Sequence, residues 1–214
     1  MKKILFLFLI LVSSDALADT AYDLYMSGNK AEGIAKWQDE ANNGNSSAKY
    51  VIGMLYNDSA QLGLCEIQDF CVFKKFSNYR KAKKIFEDLY NEESDPRAAY
   101  ALAEYYDDHP LIITNYKKAA QLYLFAAERG VPEAQYNIAN MYERGDGVKK
   151  DLVQSVRWYL QCNIASLCGA GVEGIDDLIS QLTKEEYSLA QSLVKNDMKE
   201  VDIRITSARQ IVSP

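Results

Sequence analysis

Three nine-residue segments share one pattern of apolar, small and polar positions: "AKYVIGMLY" at 48–56, "AAYALAEYY" at 98–106 and "AQYNIANMY" at 134–142. In each, Ala, Tyr, an aliphatic residue, Ala or Gly, and Tyr recur as A-x-Y-x-[IL]-[GA]-x-x-Y. Apolar or small residues at i, i+2, i+4, i+5 and i+8 predict a helix with one buried stripe and a close-approach face. The small residue within it lets a neighbouring helix approach closely. A second pattern lies between these segments. "NYRKAKKIFEDLY" (78–90) and "NYKKAAQLYLFAA" (115–127) share Asn-Tyr-basic-Lys-Ala. Asn78 and Asn115 predict N-caps. Ala82, Ile85 and Leu89 form a helical stripe, as do Ala119, Leu122 and Ala126. "GIAKWQDEA" (33–41) and "DLVQSVRWYLQC" (151–162) read as further second helices, with Trp37 and Trp158 taken as equivalent, and Gly44 and Gly130 read as stops.

First and second helices therefore alternate. Ala98 to Ala134 is 36 residues, and Ala48 to Ala98 is 50, which is 36 plus a 14-residue insertion. A period of this length with two helices per unit predicts an all-α, α/α solenoid of helix-turn-helix repeats of about 36 residues, wound as a right-handed superhelix. One helix pair buries little alone, so stacking must build the core. About four units and a cap fit the length.

The stretch "YERGDGVKKD" (142–151) offers glycines, carboxylates and lysines together. A phosphate loop would need a preceding strand and a Lys-Ser/Thr pair, and a calcium loop more oxygen ligands at alternating positions. Neither is present. Arg144-Gly145-Asp146 as an adhesion signal is a tripeptide that recurs by chance. The reading that uses every residue is a turn: Gly145 and Gly147 shape it, Val148 folds back, and Asp151 caps the next helix.

Once these residues are placed, residues 134–160 resemble the Sel1-like repeat family, a tetratricopeptide-like α-solenoid. The family pattern is carried here by Ala134, Ile138, Ala139, Tyr142, Gly145, Gly147, Val148, Asp151, Ser155 and Trp158. Gln154 and Ser155 stand where Lys-Ala is usual, and Leu122 stands where Trp is usual in the preceding unit. The resemblance is specific over 115–160 and looser over 30–107, where the glycine turn is missing. "LTKEEYSLAQSLV" (182–194) resembles the closing helix of such arrays. The resemblance implies a scaffold or adaptor that binds protein or peptide segments. First helices line the concave face of such solenoids. Its variable positions here are Lys49, Met54, Glu104, Gln135, Asn137 and Asn140, the expected binding residues.

The N-terminus adds a location. Lys2 and Lys3 precede a nine-residue apolar run from Ile4 to Val12, and Ala16-Leu17-Ala18 is a small-x-small cleavage site. This reads as a secretory signal peptide over 1–18, too short in its apolar run to span a bilayer. The expected organisation is signal peptide 1–18, solenoid 19–196 with an insertion at 57–75, and a tail at 197–214 with weak strand character. A periplasmic or secreted location follows, with no membrane span after cleavage. The chain's net charge is −6, and losing two Lys and one Asp with the signal leaves −7. That balance speaks against a nucleic-acid partner, which needs a basic face.

Four cysteines follow, Cys65 and Cys71, then Cys162 and Cys168. An even count in an exported chain reads as disulfides. Three connectivities are open, and the two local ones are expected. A four-Cys zinc site would favour tighter pairs and a reducing compartment. The insertion "NDSAQLGLCEIQDFCVFKK" (57–75) is either a stapled binding loop or a packed cover for a core edge. Catalysis finds little support. His109 in "DDHPL" is the only histidine, and Asp107-Asp108-His109 is a weak metal candidate beside a solvated acidic turn. No catalytic residue, metal or cofactor is assigned. The alternatives kept open are a cell-wall or β-lactam-directed binding protein or hydrolase, and an immunity or inhibitor protein for an exported toxin. The first rests on cysteine-rich relatives that carry about one pair per repeat, against two pairs here. Oligomeric state is not legible.

Overall fold

The computed structural model describes residues 18–62, 64–67, 70–72, 76–108, 113–164 and 175–212. The described chain is helical: α1 (Ala18–Met26), α2 (Lys30–Asn42), α3 (Ser46–Asn57), α4 (Tyr79–Glu93), α5 (Pro96–Asp108), α6 (Tyr116–Ala127), α7 (Pro132–Arg144), α8 (Leu152–Ile164), α9 (Ile175–Ser180) and α10 (Lys184–Val212). A two-residue antiparallel ladder pairs β1 (Cys71–Val72), in the insertion, with β2 (Phe76–Ser77), just after it. The architecture is an α-solenoid of helix-turn-helix repeats. The described residues divide into two compact units, one ending at Ala98 and the next beginning at Ala99. Among the described residues no helix is long and apolar enough to cross a membrane.

The second helices start alike because a short polar side chain closes each first turn. Asn78 accepts from Lys81 N at 3.4 Å, Asn115 from Lys118 N at 3.1 Å and Asp151 from Gln154 N at 3.0 Å. These contacts satisfy N–H groups that have no partner inside the helix. Asn29 precedes α2 at the same place without such a bond. Counting four residues on from each start gives Gly33, Ala82, Ala119 and Ser155, all buried. Small side chains there let helices touch. At Gly33 an added Cβ would lie 2.6 Å from the carbonyl oxygen of Ala21.

Counting eight on gives Trp37, Phe86, Tyr123 and Tyr159, all buried. Each faces a first-helix tyrosine. Ring centroids are 5.6 Å apart for Tyr25–Trp37, 5.6 Å for Tyr50–Phe86, 5.9 Å for Tyr100–Tyr123 and 5.6 Å for Tyr136–Tyr159. This register corrects the equivalence of the two tryptophans. Trp37 occupies the place of Tyr159, and Trp158 that of Leu122. A Trp one position away still falls on the buried side, so sequence pattern alone slides by one.

In unit one, Ile34, Trp37, Leu55, Phe86 and Leu89 form the core of α1–α4. Phe86 packs so close to Gly53 that a Cβ there would lie 2.5 Å from its ring. In unit two, Ala103, Ala119, Ala126, Ile138, Ala139, Val156 and Trp158 are buried between α5 and α8. Beyond them α10 runs back over α8, held by Arg157. Its Nε and Nη2 donate to the Asp197 carboxylate at 2.9 Å each across 40 residues. The expected strand character after 197 is overturned, because α10 stays helical to Val212.

The turn at 145–151 is built by its glycines. Gly145 and Gly147 take φ of +85° and +71°. A Cβ at Gly147 would collide with the carbonyl of Tyr116, so the chain there can approach α6 only as glycine. Asp151 N donates to Tyr142 O at 2.9 Å, closing the turn.

Candidate interaction surface

In unit two, the helices α5, α6 and α7 bring tyrosines and carboxylates together. Tyr100 OH donates to Glu104 at 2.7 Å, one helical turn along α5. Tyr123 OH, from α6, donates to Asp107 at 3.3 Å. Asn137, from α7, also hydrogen-bonds Tyr123. One repeat later Tyr159 OH donates to Glu143 at 3.4 Å. Asp107 and Glu143 are 36 residues apart, as are Tyr123 and Tyr159. The phenol–carboxylate pair is thus a repeated part.

Burial and neighbouring carboxylates push Tyr100, Tyr123 and Tyr159 well above the ordinary phenol range. These hydroxyls stay protonated and act as donors. Burial also raises the carboxyl of Asp107, against the pull of its Tyr123 bond. The assembly can offer negative charge beside aromatic faces, which is a recognition chemistry.

The expected binding residues fall into different roles. Glu104 is exposed on α5. Asn137 and Asn140 are half-buried on α7, and Asn140 Nδ2 donates to Tyr136 O at 3.1 Å. Gln135 is a correction. It is 4% exposed, and its Nε2 donates to Ala127 O at 3.2 Å, tying α7 to the end of α6. A polar residue buried there is retained by that bond and presents nothing to a partner. Asp107, Glu143, Tyr123 and Tyr159 were not expected as a set; their shared 36-residue spacing is the signal that marks them in the sequence.

In unit one, Lys49 is engaged with Glu93 at 2.8 Å, which also accepts from Ser46. Met54 is half-buried on α3. Arg97 is held by the Asp95 carboxylate, with Nη2 at 2.5 Å, and its guanidinium lies 5.0 Å from the centre of the Tyr50 ring. The insertion packs inward. Leu64 and Phe70 are fully buried, and Phe70 stacks on Tyr56 at 4.4 Å. Ser59, also buried, donates to Phe70 O at 2.6 Å. The described part of 57–75 therefore covers a core edge, with Gln61 and Glu66 left exposed.

Cys65 and Cys162 are not free thiols. The side chain of Cys71, the whole of Cys168 and the whole of His109 lie outside the described residues. Among the described residues no three His, Cys, Asp or Glu side chains gather as a metal set.

Comparison with known proteins agrees with the repeat fold. The Sel1 repeat family model matches residues 96–131 and 132–161. No curated protein matches the chain. The fold is similar to that of c5321, described as a protective antigen present in uropathogenic Escherichia coli strains displaying an SLR fold. The TM-score is 0.67 at 20% identity, over 92% of this chain and 41% of that one. This chain thus spans about two fifths of that structure's length, and the likeness is one of fold. A Sel1 repeat protein from Oxalobacter formigenes aligns with TM-score 0.46 at 20% identity, over 74% of this chain and 97% of that one.

Proposed function

From the two Sel1 repeats carried in tandem over residues 96–161, we infer that the chain is an interaction scaffold, exported to the periplasm or beyond, that displays its first-helix surface to a protein or peptide. The observation that carries this reading is the division of labour within a repeat. The second helix supplies the cap, the small contact residue and the buried ring. The first helix keeps Glu104, Asn137 and Asn140 at or near the surface. In this reading the chain binds and does not catalyse. Export rests on the N-terminal pattern of Lys2-Lys3, the apolar run and Ala16-Leu17-Ala18. Two local disulfides, Cys65–Cys71 and Cys162–Cys168, complete the proposal, and the absence of a free thiol at Cys65 and Cys162 supports them.

The test is capture of an envelope protein by the tagged chain, compared across two surfaces. Glu104→Ala with Asn140→Ala is expected to abolish capture, while Gln61→Ala with Glu66→Ala on the insertion leaves it intact. Capture lost only in the second pair would move the site to the insertion and refute the first-helix assignment. Replacing the whole insertion is not a clean test, because it removes the buried Leu64 and Phe70.

A further inference from the structure

We propose that unit two takes up a basic side chain, Lys or Arg, from an extended partner segment, over the ring of Tyr100. This rests on the scaffold reading above and names the chemistry of its partner.

The argument starts from Tyr50, Tyr100 and Tyr136, which occupy the same place in three repeats. In unit one a guanidinium already lies on the Tyr50 ring. It belongs to Arg97, the residue just before the Ala98 that opens the next pattern. The residue 36 positions after Arg97 is Glu133, just before Ala134. Glu133 acts on Tyr100 as a negative charge and helps to hold its hydroxyl protonated. The position that supplies a cation over the first ring thus supplies a carboxylate beside the second.

Among the described residues no cation lies over Tyr100. The fold elsewhere uses tyrosine faces in this way. Lys81 lies 5.2 Å from the centre of the Tyr56 ring, and Lys118, 4.2 Å from that of Tyr106, donates to its hydroxyl at 2.8 Å. A ring face attracts a cation most when the cation is also near a carboxylate and partly out of water. At Tyr100 that setting comes from Glu104 on its hydroxyl, from Glu133, and from the Asp107–Tyr123 pair alongside. Glu104 is exposed and Tyr100 and Glu133 are half-buried, so a side chain arriving from outside can reach them. The net charge of −6 favours approach of a basic segment. An acidic segment would meet like charge at Glu104 and Glu133.

The experiment uses the full chain and two labelled peptides, alternating Arg–Ser and alternating Glu–Ser, with affinity read by fluorescence anisotropy at physiological salt. The Arg–Ser peptide is expected to bind and the Glu–Ser peptide not to. Glu133→Arg places in this repeat the cation that Arg97 places in the other, and is expected to weaken Arg–Ser binding about tenfold or more. Glu185→Arg makes the same charge change on exposed α10 and is expected to weaken it by less than about twofold. Glu104→Gln keeps the acceptor for Tyr100 and serves as a second variant, with a loss of about threefold. Equal weakening by Glu133→Arg and Glu185→Arg would mean general charge attraction and overturn the site. So would equal binding of both peptides. Capture of an envelope protein without Arg–Ser binding would remove this inference and leave the scaffold standing. Failure of both would remove both.

Discussion

At the scale of single residues, the turn at 145–151 shows how a composition that suggests chemistry is consumed by geometry. Gly145 and Gly147 share a left-handed backbone but differ in surroundings. A Cβ at Gly145 meets Lys150 at 3.4 Å, an ordinary contact, whereas one at Gly147 meets the Tyr116 backbone. Gly145→Ala is therefore expected to cost about 1 kcal/mol from backbone strain alone. Gly147→Ala should cost at least about 2 kcal/mol more, because backbone must shift. Urea denaturation of the two variants measures the difference, and equal losses would deny the close approach of α6.

Asp58 gives a residue-scale prediction with a sign. Burial raises its carboxyl above the usual range, with the Asn57 amide opposing. A raised folded value means the folded chain holds the proton more tightly. The cost of the charge is absent below the unfolded pKa of about 3.9 and appears as pH rises through the folded value. Asp58→Asn should therefore stabilise the chain at neutral pH and gain nothing near pH 3. Urea midpoints at the two values test it, and a gain confined to low pH would reverse the assignment.

At the scale of elements, the alternation of helices was legible because caps and stripes are local. Asn78, Asn115 and Asp151 could be read directly as helix starts. The insertion was not, because its two readings differ only in where Leu64 and Phe70 point. The structure buries both, and Phe70→Ala is expected to cost about 3–5 kcal/mol, the loss of a large core ring. A loss under about 1 kcal/mol by urea denaturation would return the segment to the role of a free binding loop. The burial of Gln135 was not legible for a similar reason, since a polar side chain reads as surface until its partner, the Ala127 carbonyl, is known. The end of α10 was not legible as helix because Val201, Ile203 and Ile205 alternate with polar residues and are β-branched. A helix already begun at Lys184 and pinned by Arg157 to Asp197 extends through such residues cheaply, one hydrogen bond per residue fixed.

At the scale of the whole molecule, the repeat period carries the fold, and the two units carry distinct local chemistry on the same plan. Unit one spends its first-helix charges internally, as in Lys49 with Glu93 and Arg97 with Asp95. Unit two keeps carboxylates beside tyrosines. The proposed local disulfides would each contribute about 2–3 kcal/mol by closing short loops, so reduction should lower the unfolding midpoint. Mass spectrometry of a non-reducing digest should show Cys65 with Cys71 and Cys162 with Cys168. Cys65 joined to Cys162 or Cys168 would refute that pairing. The proposed scaffold role requires the first-helix surfaces of the matched repeats to engage a protein. Its most direct test is site-specific photo-crosslinking in envelope extract, with the crosslinker at 104, at 140, or at the exposed second-helix residue Gln121. A protein adduct is expected from 104 and 140 and none from 121. Adducts from 121 alone would contradict it.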